Sequence, residues 1–138
     1  MIDYNRRSVI ENHYQGKYKR VLCVCSAGVL RSPTTACVLS MEPFDCNTRA
    51  AGTEGYALVR VDEALLRWSQ EVVCMTRDHA DKVGTQLEVY RIKRTVHCLD
   101  IPDDYRYRDP ELVKMITERY TKILSELREP ARECNPAT

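Results

Sequence analysis

The stretch VLCVCSAGVLRSP, residues 21–33, decides the fold of this chain. Its first five residues are apolar and rich in β-formers, which predicts a strand buried on both faces in a parallel sheet. A loop from Ser26 to Arg31 follows, and then a helix, because Ser32 suits an N-cap and Pro33 suits the first helical position. Strand, loop and helix in this order form the first half of a βαβ unit.

Strand-like and helix-like segments alternate along the rest of the chain. Further strands are predicted at residues 47–50, 71–75 and 95–99. Helices are predicted at about residues 34–41, 61–69 and 77–90, and a last one starts at Asp109 and ends near Pro130. This alternation predicts an α/β sandwich built on a parallel sheet.

A single domain is expected, because 138 residues with 43% hydrophobic content fall within the usual size of one core. We assign residues 20–129 to this domain. Residues 1–19 form an N-terminal extension that is part of it, and residues 130–138 form a tail.

The overall charge gives no reason to expect an anionic macromolecule as a partner. Lys and Arg number 21 against 20 Asp and Glu, so no overall field attracts nucleic acid or an anionic membrane. No stretch approaches the roughly 20 apolar residues that span a bilayer, and the polar N-terminus lacks the apolar centre of a signal peptide. We therefore expect a cytoplasmic protein that recognises any anion locally.

The seven cysteines favour reduced thiols over a disulfide framework, because their number is odd and their spacing is irregular. A zinc site needs paired CxxC motifs or Cys/His clusters, whereas Cys23 and Cys25 are separated by one residue and the three histidines are far apart. We expect no metal site and no cofactor. Packing roles are expected for most of the cysteines, and by name for Cys23, Cys74 and Cys98, which lie within predicted strands. Cys37 lies on the helix after the loop, and Cys46 lies just ahead of the second strand. Surface or core roles are expected for His79 and His97.

Chemistry is expected where the first strand meets its helix. Cys25 and Arg31 stand at the two ends of a tight loop, whose inward N–H groups and helix N-terminus form an anion cradle. Arg31 can bind two phosphate oxygens at once. The positive charge of Arg31, the loop N–H groups and the helix N-terminus also stabilise a thiolate at Cys25. Gly28 supplies the positive φ that such a loop needs. Ser32 either caps the helix or donates to the Cys25 sulfur. The residues expected to line the anion are Ser26, Ala27, Gly28, Val29, Leu30 and Ser32.

A proton donor is expected in the loop after the last strand. Loops at the carboxyl ends of parallel strands share one rim, so Asp103 and Asp104 can lie over the cysteine loop. Their adjacent charges raise the pKa of one carboxyl, which suits an acid. Tyr105 and Tyr107 either form walls for an aromatic phosphoester or pack the loop, and the apolar Val29 favours a phenyl ring over a guanidinium.

These motifs resemble those of the low-molecular-weight protein tyrosine phosphatases, whose signature is a strand followed by C-x5-R-[ST]-P. Residues 50–53, AAGT, are similar to the family's SAGT, and residues 71–79, EVVCMTRDH, are similar to its strand ending in Met and followed by His. Residues 103–105, DDY, stand where the family has Asp-Pro-Tyr. The resemblance covers roughly residues 20–127, and residues 98–112, CLDIPDDYRYRDPEL, are most similar to a branch of predicted bacterial and phage-type phosphatases.

The resemblance implies a four-stranded parallel sheet with helices on both faces. It implies that Cys25 attacks phosphorus, that Arg31 binds the phosphoryl group and that Asp103 is the general acid and later the base, with Asp104 as the alternative. The implied substrate is a phosphotyrosine-containing protein or a small phosphoester, and phosphate and vanadate are the implied inhibitors. In the loop, Ala27, Gly28 and Leu30 replace the family's usual Gly, Asn and second Cys.

Three other functions compete with this one. An arsenate reductase-like thiol oxidoreductase needs two resolving cysteines close together on a mobile segment, whereas Cys74 and Cys98 are strand-like and far apart in sequence. A phosphocysteine carrier needs no arginine to bind the phosphate, so Arg31 argues against it. A non-catalytic phosphate-binding module needs no proton donor, so the acid loop, the segment that holds Asp103 and Asp104, argues against it.

Overall fold

Parallel strands alternate with helices along the chain, which the computed structural model describes for residues 18–26, 31–101 and 109–128. The strands are β1 (Arg20–Cys25), β2 (Asn47–Gly52), β3 (Glu71–Cys74) and β4 (Thr95–Cys98). The helices are α1 (Arg31–Leu39), α2 (Glu63–Trp68), α3 (Arg77–Tyr90) and α4 (Pro110–Arg128). Each predicted element is present within a few residues of its expected position.

The sheet has the order β2-β1-β3-β4, and every neighbouring pair is parallel. β1 lies inside the sheet, with Cys25 opposite Gly52 of β2 and Val24 opposite Cys74 of β3. All four strands therefore end at the same rim. This arrangement confirms the predicted α/β fold with a four-stranded parallel sheet.

Each face of the sheet packs against its own pair of helices. Val21 and Cys23 point to the face covered by α1 and α4, and Leu22 and Val24 point to the face covered by α2 and α3. All four side chains are fully buried. Burial of one Val or Leu side chain contributes about 1.5–3 kcal/mol, so β1 is held firmly from both sides.

A buried polar cluster fixes α4 to the sheet at the end opposite the rim. The Tyr120 hydroxyl of α4 donates to Glu71 Oε1 over 2.7 Å, and Lys19 Nζ lies 3.2 Å from Oε2. His97 Nε2 lies 3.4 Å from the same oxygen but is not aligned for a hydrogen bond. Burial alone would raise the pKa of Glu71, but the contacts with His97, Tyr120 and Lys19 lower it to about 2.

The start of α1 corrects one prediction. The helix begins at Arg31, so Ser32 lies inside its first turn and is not the N-cap residue. Pro33 is accommodated in the same turn, where backbone N–H groups have no partner within the helix.

Other predictions lie outside the described residues. These are the extension 1–19, of which only residues 18 and 19 are described, and the whole tail 130–138. Within the described parts of the chain, no helix combines the length and apolar character needed to cross a bilayer.

Candidate active site

Cys25 is the last residue of β1 and is 3% exposed. Its carbonyl oxygen accepts a hydrogen bond from the Thr53 backbone N–H (2.9 Å), and the Ser26 carbonyl oxygen accepts one from the Glu54 backbone N–H (3.0 Å). Thr53 and Glu54 immediately follow β2, the neighbouring strand. The backbone that carries the Cys25 thiol is therefore fixed by the turn beside it.

Ser32 faces the Cys25 thiol from the first turn of α1. Its Oγ lies 3.1 Å from the Cys25 sulfur, and its hydroxyl donates to the Ala51 carbonyl oxygen over 3.4 Å. A hydroxyl has one proton. With a neutral thiol, Cys25 donates to Ser32, which donates to Ala51. With a thiolate, the Ser32 proton goes to sulfur, as the second of the two predicted roles requires.

The two ends of the predicted anion loop lie at the same rim. Ser26 follows β1, and Arg31 is the first residue of α1, so the N-terminus of that helix faces the loop. Ala27, Gly28, Val29 and Leu30, like the Arg31 side chain, lie outside the described residues. Their roles stay predictions.

His79 contacts the beginning of this loop, which the sequence reasoning missed. Its Nε2 lies 2.9 Å from Ser26 Oγ, and the residue is 3% exposed. Nδ1 accepts the Thr76 backbone N–H over 3.2 Å, so in the neutral ring Nε2 carries the proton and donates to Ser26. The Thr-x-x-His spacing of a helix capping box was the available sequence signal.

Helix α3 also holds the turn after β2. Lys82 Nζ lies 2.6 Å from Glu54 Oε2, and its hydrogen bond and charge lower the pKa of Glu54. Because the Glu54 backbone binds Ser26 and His79 binds the Ser26 side chain, two residues of α3 brace the same point of the loop.

The loop that holds the predicted acid, residues 102–108, starts at the rim beside β1 and ends at the beginning of α4. At its start, the Ile101 N–H donates to the Met75 carbonyl (2.7 Å), while the Met75 N–H donates to the Val24 carbonyl (3.0 Å). At its end, Asp109 Oδ1 accepts the Glu111 N–H over 2.9 Å at the beginning of α4. The residues between, 102–108, lie outside the described parts, and with them Asp103, Asp104, Tyr105 and Tyr107.

Arg119 of α4 holds the approach to this loop. Its Nη1 donates to the Leu99 carbonyl oxygen over 2.7 Å and to the Asp100 carbonyl oxygen. Asp100 has a left-handed backbone conformation with φ of 59°, which residues other than glycine adopt uncommonly. The Arg119 bonds therefore fix the point where the chain turns from β4 into the acid loop.

The other buried cysteines are poor candidates for reactive thiols. Cys74 and Cys98 are distant in sequence, but they are direct register partners on β3 and β4. Burial raises the pKa of Cys74 well above its ordinary value, and it does the same for Cys23. Thiol exchange needs a thiolate, which a raised pKa disfavours. Cys74 and Cys23 therefore suit the packing roles predicted for them.

Comparison with known proteins identifies the fold. No family model and no curated protein matches the sequence. Among solved structures, the tyrosine phosphatase Wzb from Escherichia coli K30, in complex with phosphate, matches with a TM-score of 0.60 at 16% identity, covering 80% of this chain and 99% of that one. SP-PTP, a low molecular weight protein tyrosine phosphatase from Streptococcus pyogenes, matches with a TM-score of 0.61 at 13% identity, covering 85% and 98%.

A third solved structure is an arginine phosphatase, YwlE, as a cysteine-to-serine mutant with a phosphorylated active-site serine. It matches with a TM-score of 0.56 at 18% identity and covers 82% of this chain and 98% of that one. At these identities the three matches establish the fold.

Proposed function

From a fold shared with low-molecular-weight protein tyrosine phosphatases, we propose that this chain is a phosphatase that hydrolyses phosphomonoesters through a phosphocysteine at Cys25. The observation that carries the proposal is the 3.1 Å contact between the Cys25 sulfur and Ser32 Oγ, at the end of a parallel strand and the start of a helix. A polar hydrogen at the sulfur stabilises a thiolate, and a helix N-terminus stabilises the phosphate that the thiolate attacks.

In the first step, the Cys25 thiolate attacks phosphorus, and the S–P bond forms as the bond to the leaving oxygen breaks. Asp103 gives its proton to that oxygen. Arg31 and the loop N–H groups contact the equatorial oxygens, and the loss of one such donor costs on the order of 10²–10³ in rate. The Ser26 hydroxyl accepts from His79, so its own proton is left to bind the phosphoryl group.

In the second step, water attacks phosphorus and gives its proton to Asp103, and the S–P bond breaks. The sulfur leaves as a thiolate, which Ser32 stabilises through its single proton. The phosphorylated active-site serine of the YwlE variant, a cysteine in the unmodified enzyme, supports a covalent intermediate of this kind.

Phosphotyrosine in proteins is the proposed substrate class. Wzb and SP-PTP are tyrosine phosphatases, and YwlE is an arginine phosphatase. Val29 and Tyr105 favour an aromatic ester, because an apolar rim and an aromatic wall suit a flat ring better than a guanidinium. We place this activity in residues 20–129 and in the cytoplasm. Arsenate reduction has less support, because the raised pKa of Cys74 opposes a thiol relay.

Hydrolysis of para-nitrophenyl phosphate tests the proposal. Cys25→Ser is expected to abolish turnover, and Arg31→Lys to lower kcat by about 10² or more, because it keeps the charge but loses the planar fork. Cys37→Ser, on the half-buried side of α1, is the matched control and should retain turnover. Phosphate release undiminished in Cys25→Ser would show that the nucleophile lies elsewhere.

The choice between Asp103 and Asp104 is tested with a series of leaving groups. A general acid matters most for a poor leaving group. Asp103→Asn should therefore slow phenyl phosphate strongly and an ester with a very good leaving group less, while Asp104→Asn should do little. The reverse pattern would assign the acid to Asp104.

A further inference from the structure

A basic cleft lies at the end of the sheet opposite Cys25. Arg20 begins β1 and Cys25 ends it, so the cleft and the thiol are separated by about 16 Å at roughly 3.3 Å per residue. The cleft has a volume of about 560 Å³. Its lining residues are Arg20, Ser69, Gln70, Lys93, Arg94 and Thr95.

The two arginines of the cleft are held in place by the end of α2. Arg20 Nε donates to the Trp68 carbonyl oxygen over 2.5 Å, and Arg94 Nε donates to the next carbonyl oxygen, that of Ser69, over 2.5 Å. Arg94 also donates to Arg67 O (3.0 Å). A guanidinium has five N–H groups, so both forks keep donors beyond these bonds. Their orientation is fixed before any ligand arrives.

The positive charge of this cleft is not neutralised by any carboxylate among the described residues. The nearby carboxylates are already engaged, Glu63 with Arg67 and Glu71 with Lys19, and no described carboxylate pairs with a cation of the cleft. The whole chain has a net charge of only +1, so this is a local concentration. Clustered like charges repel each other and create a potential that attracts anions.

We propose that this basic cleft, formed by the six residues named above, binds a run of acidic side chains on a partner protein. The cleft is open to solvent, which suits an extended segment of a partner better than a small enclosed ion. Several carboxylates on one peptide can meet the three cations together. The Gln70 side-chain N–H groups, whose Oε1 already accepts the Arg20 backbone N–H, and the exposed Thr95 side chain can contact its backbone. This inference does not depend on the proposed phosphatase activity.

Lys93 offers the cleanest test, because its side chain is exposed. Fluorescence anisotropy with a labelled octaglutamate peptide at low salt measures binding to the whole chain. Lys93→Glu is expected to weaken binding about tenfold or more. Lys122→Glu, an exposed lysine on α4, changes the net charge equally and should bind like the unmodified protein. Equal losses in both variants would overturn the proposal, because net charge alone would then explain binding.

Backbone NMR locates the peptide on the unmodified protein. The amide signals of Gln70 and Thr95 are expected to shift on addition of octaglutamate, with the signal of Ser26 unchanged. Shifts confined to Ser26 would place the peptide in the catalytic loop and contradict the cleft. Inorganic phosphate is the second probe. If it moves Gln70 and Thr95 at lower concentrations than the peptide does, the cleft is a free-anion site and the proposed partner is wrong.

Discussion

The Ser32 hydroxyl lies between two acceptors, the Cys25 sulfur at 3.1 Å and the Ala51 carbonyl oxygen at 3.4 Å. Its single proton cannot serve both, so ionisation of Cys25 draws it away from Ala51 and towards the sulfur. The protonation of the thiol and the hydrogen bonding of β2 are thereby linked.

Replacement of Ser32 by alanine should slow release of phosphate from the enzyme most. The leaving thiolate loses one hydrogen bond to a charged group, which is worth about 1.5–3 kcal/mol, or roughly 10- to 150-fold in rate. Rapid-mixing kinetics should show a larger burst and a slower steady state. Ser40→Ala is the control, because Ser40 directly follows the same helix and its hydroxyl donates to the Cys37 carbonyl oxygen, away from Cys25. Equal burst amplitudes in both variants would remove Ser32 from the chemical step.

His79 is expected to affect activity through Ser26 and stability through Thr76. His79→Ala loses both contacts, Ser26→Ala loses only the first, and Thr76→Ala loses the cap, worth about 1 kcal/mol. We expect lower kcat in the first two variants, with a non-additive double mutant, and lower denaturation midpoints in His79→Ala and Thr76→Ala. A Thr76→Ala variant as inactive as His79→Ala would mean that helix stability alone explains the loss.

Arg119 is expected to act as a positioning residue for the acid loop. Arg119→Gln frees the Leu99 and Asp100 carbonyls, so the loop begins from a less fixed point. Turnover of phenyl phosphate should fall several-fold, and turnover of an ester with a very good leaving group should fall less. Lys122→Gln on the same helix should change neither. A uniform loss with both substrates would indicate general destabilisation instead.

The cluster around Glu71 should make stability depend on pH in the acid range. The pKa of Glu71 falls on folding from 4.5 to about 2, so its contribution is complete above about pH 4.5 and is lost as the pH falls towards 2. Tyr120→Phe removes one hydrogen bond to the carboxylate and so raises its folded-state pKa towards 4.5. Denaturant midpoints should therefore begin to fall at the same pH, but the total loss on acidification should be smaller and should end at a higher pH. Tyr90→Phe is the control. Identical pH profiles for the two variants would contradict the assignment.

The sheet could be predicted from the sequence because β1 to β4 are apolar runs separated by segments with helical periodicity. Both patterns are local, so they do not depend on which distant residues meet in the fold. The sequence also placed Cys25 at a strand end. It did not predict the partner of His79, because a residue 53 positions from Ser26 meets it only through the order of strands. The role of Ser32 stayed open for a similar reason, since capping and thiol binding require the same side chain and only the helix start separates them.

The backbone of Cys25, the proposed nucleophile, and that of Ser26 are bound to the turn after β2 through the amides of Thr53 and Glu54. These two backbone bonds do not depend on the identity of the side chains, although the Glu54 carboxylate also pairs with Lys82 of α3. Proline is the exception, because it has no N–H to donate. Mutational tolerance at position 53 should thus be broad, with proline as the single forbidden residue, whereas replacement of Glu54 also removes the ion pair with Lys82.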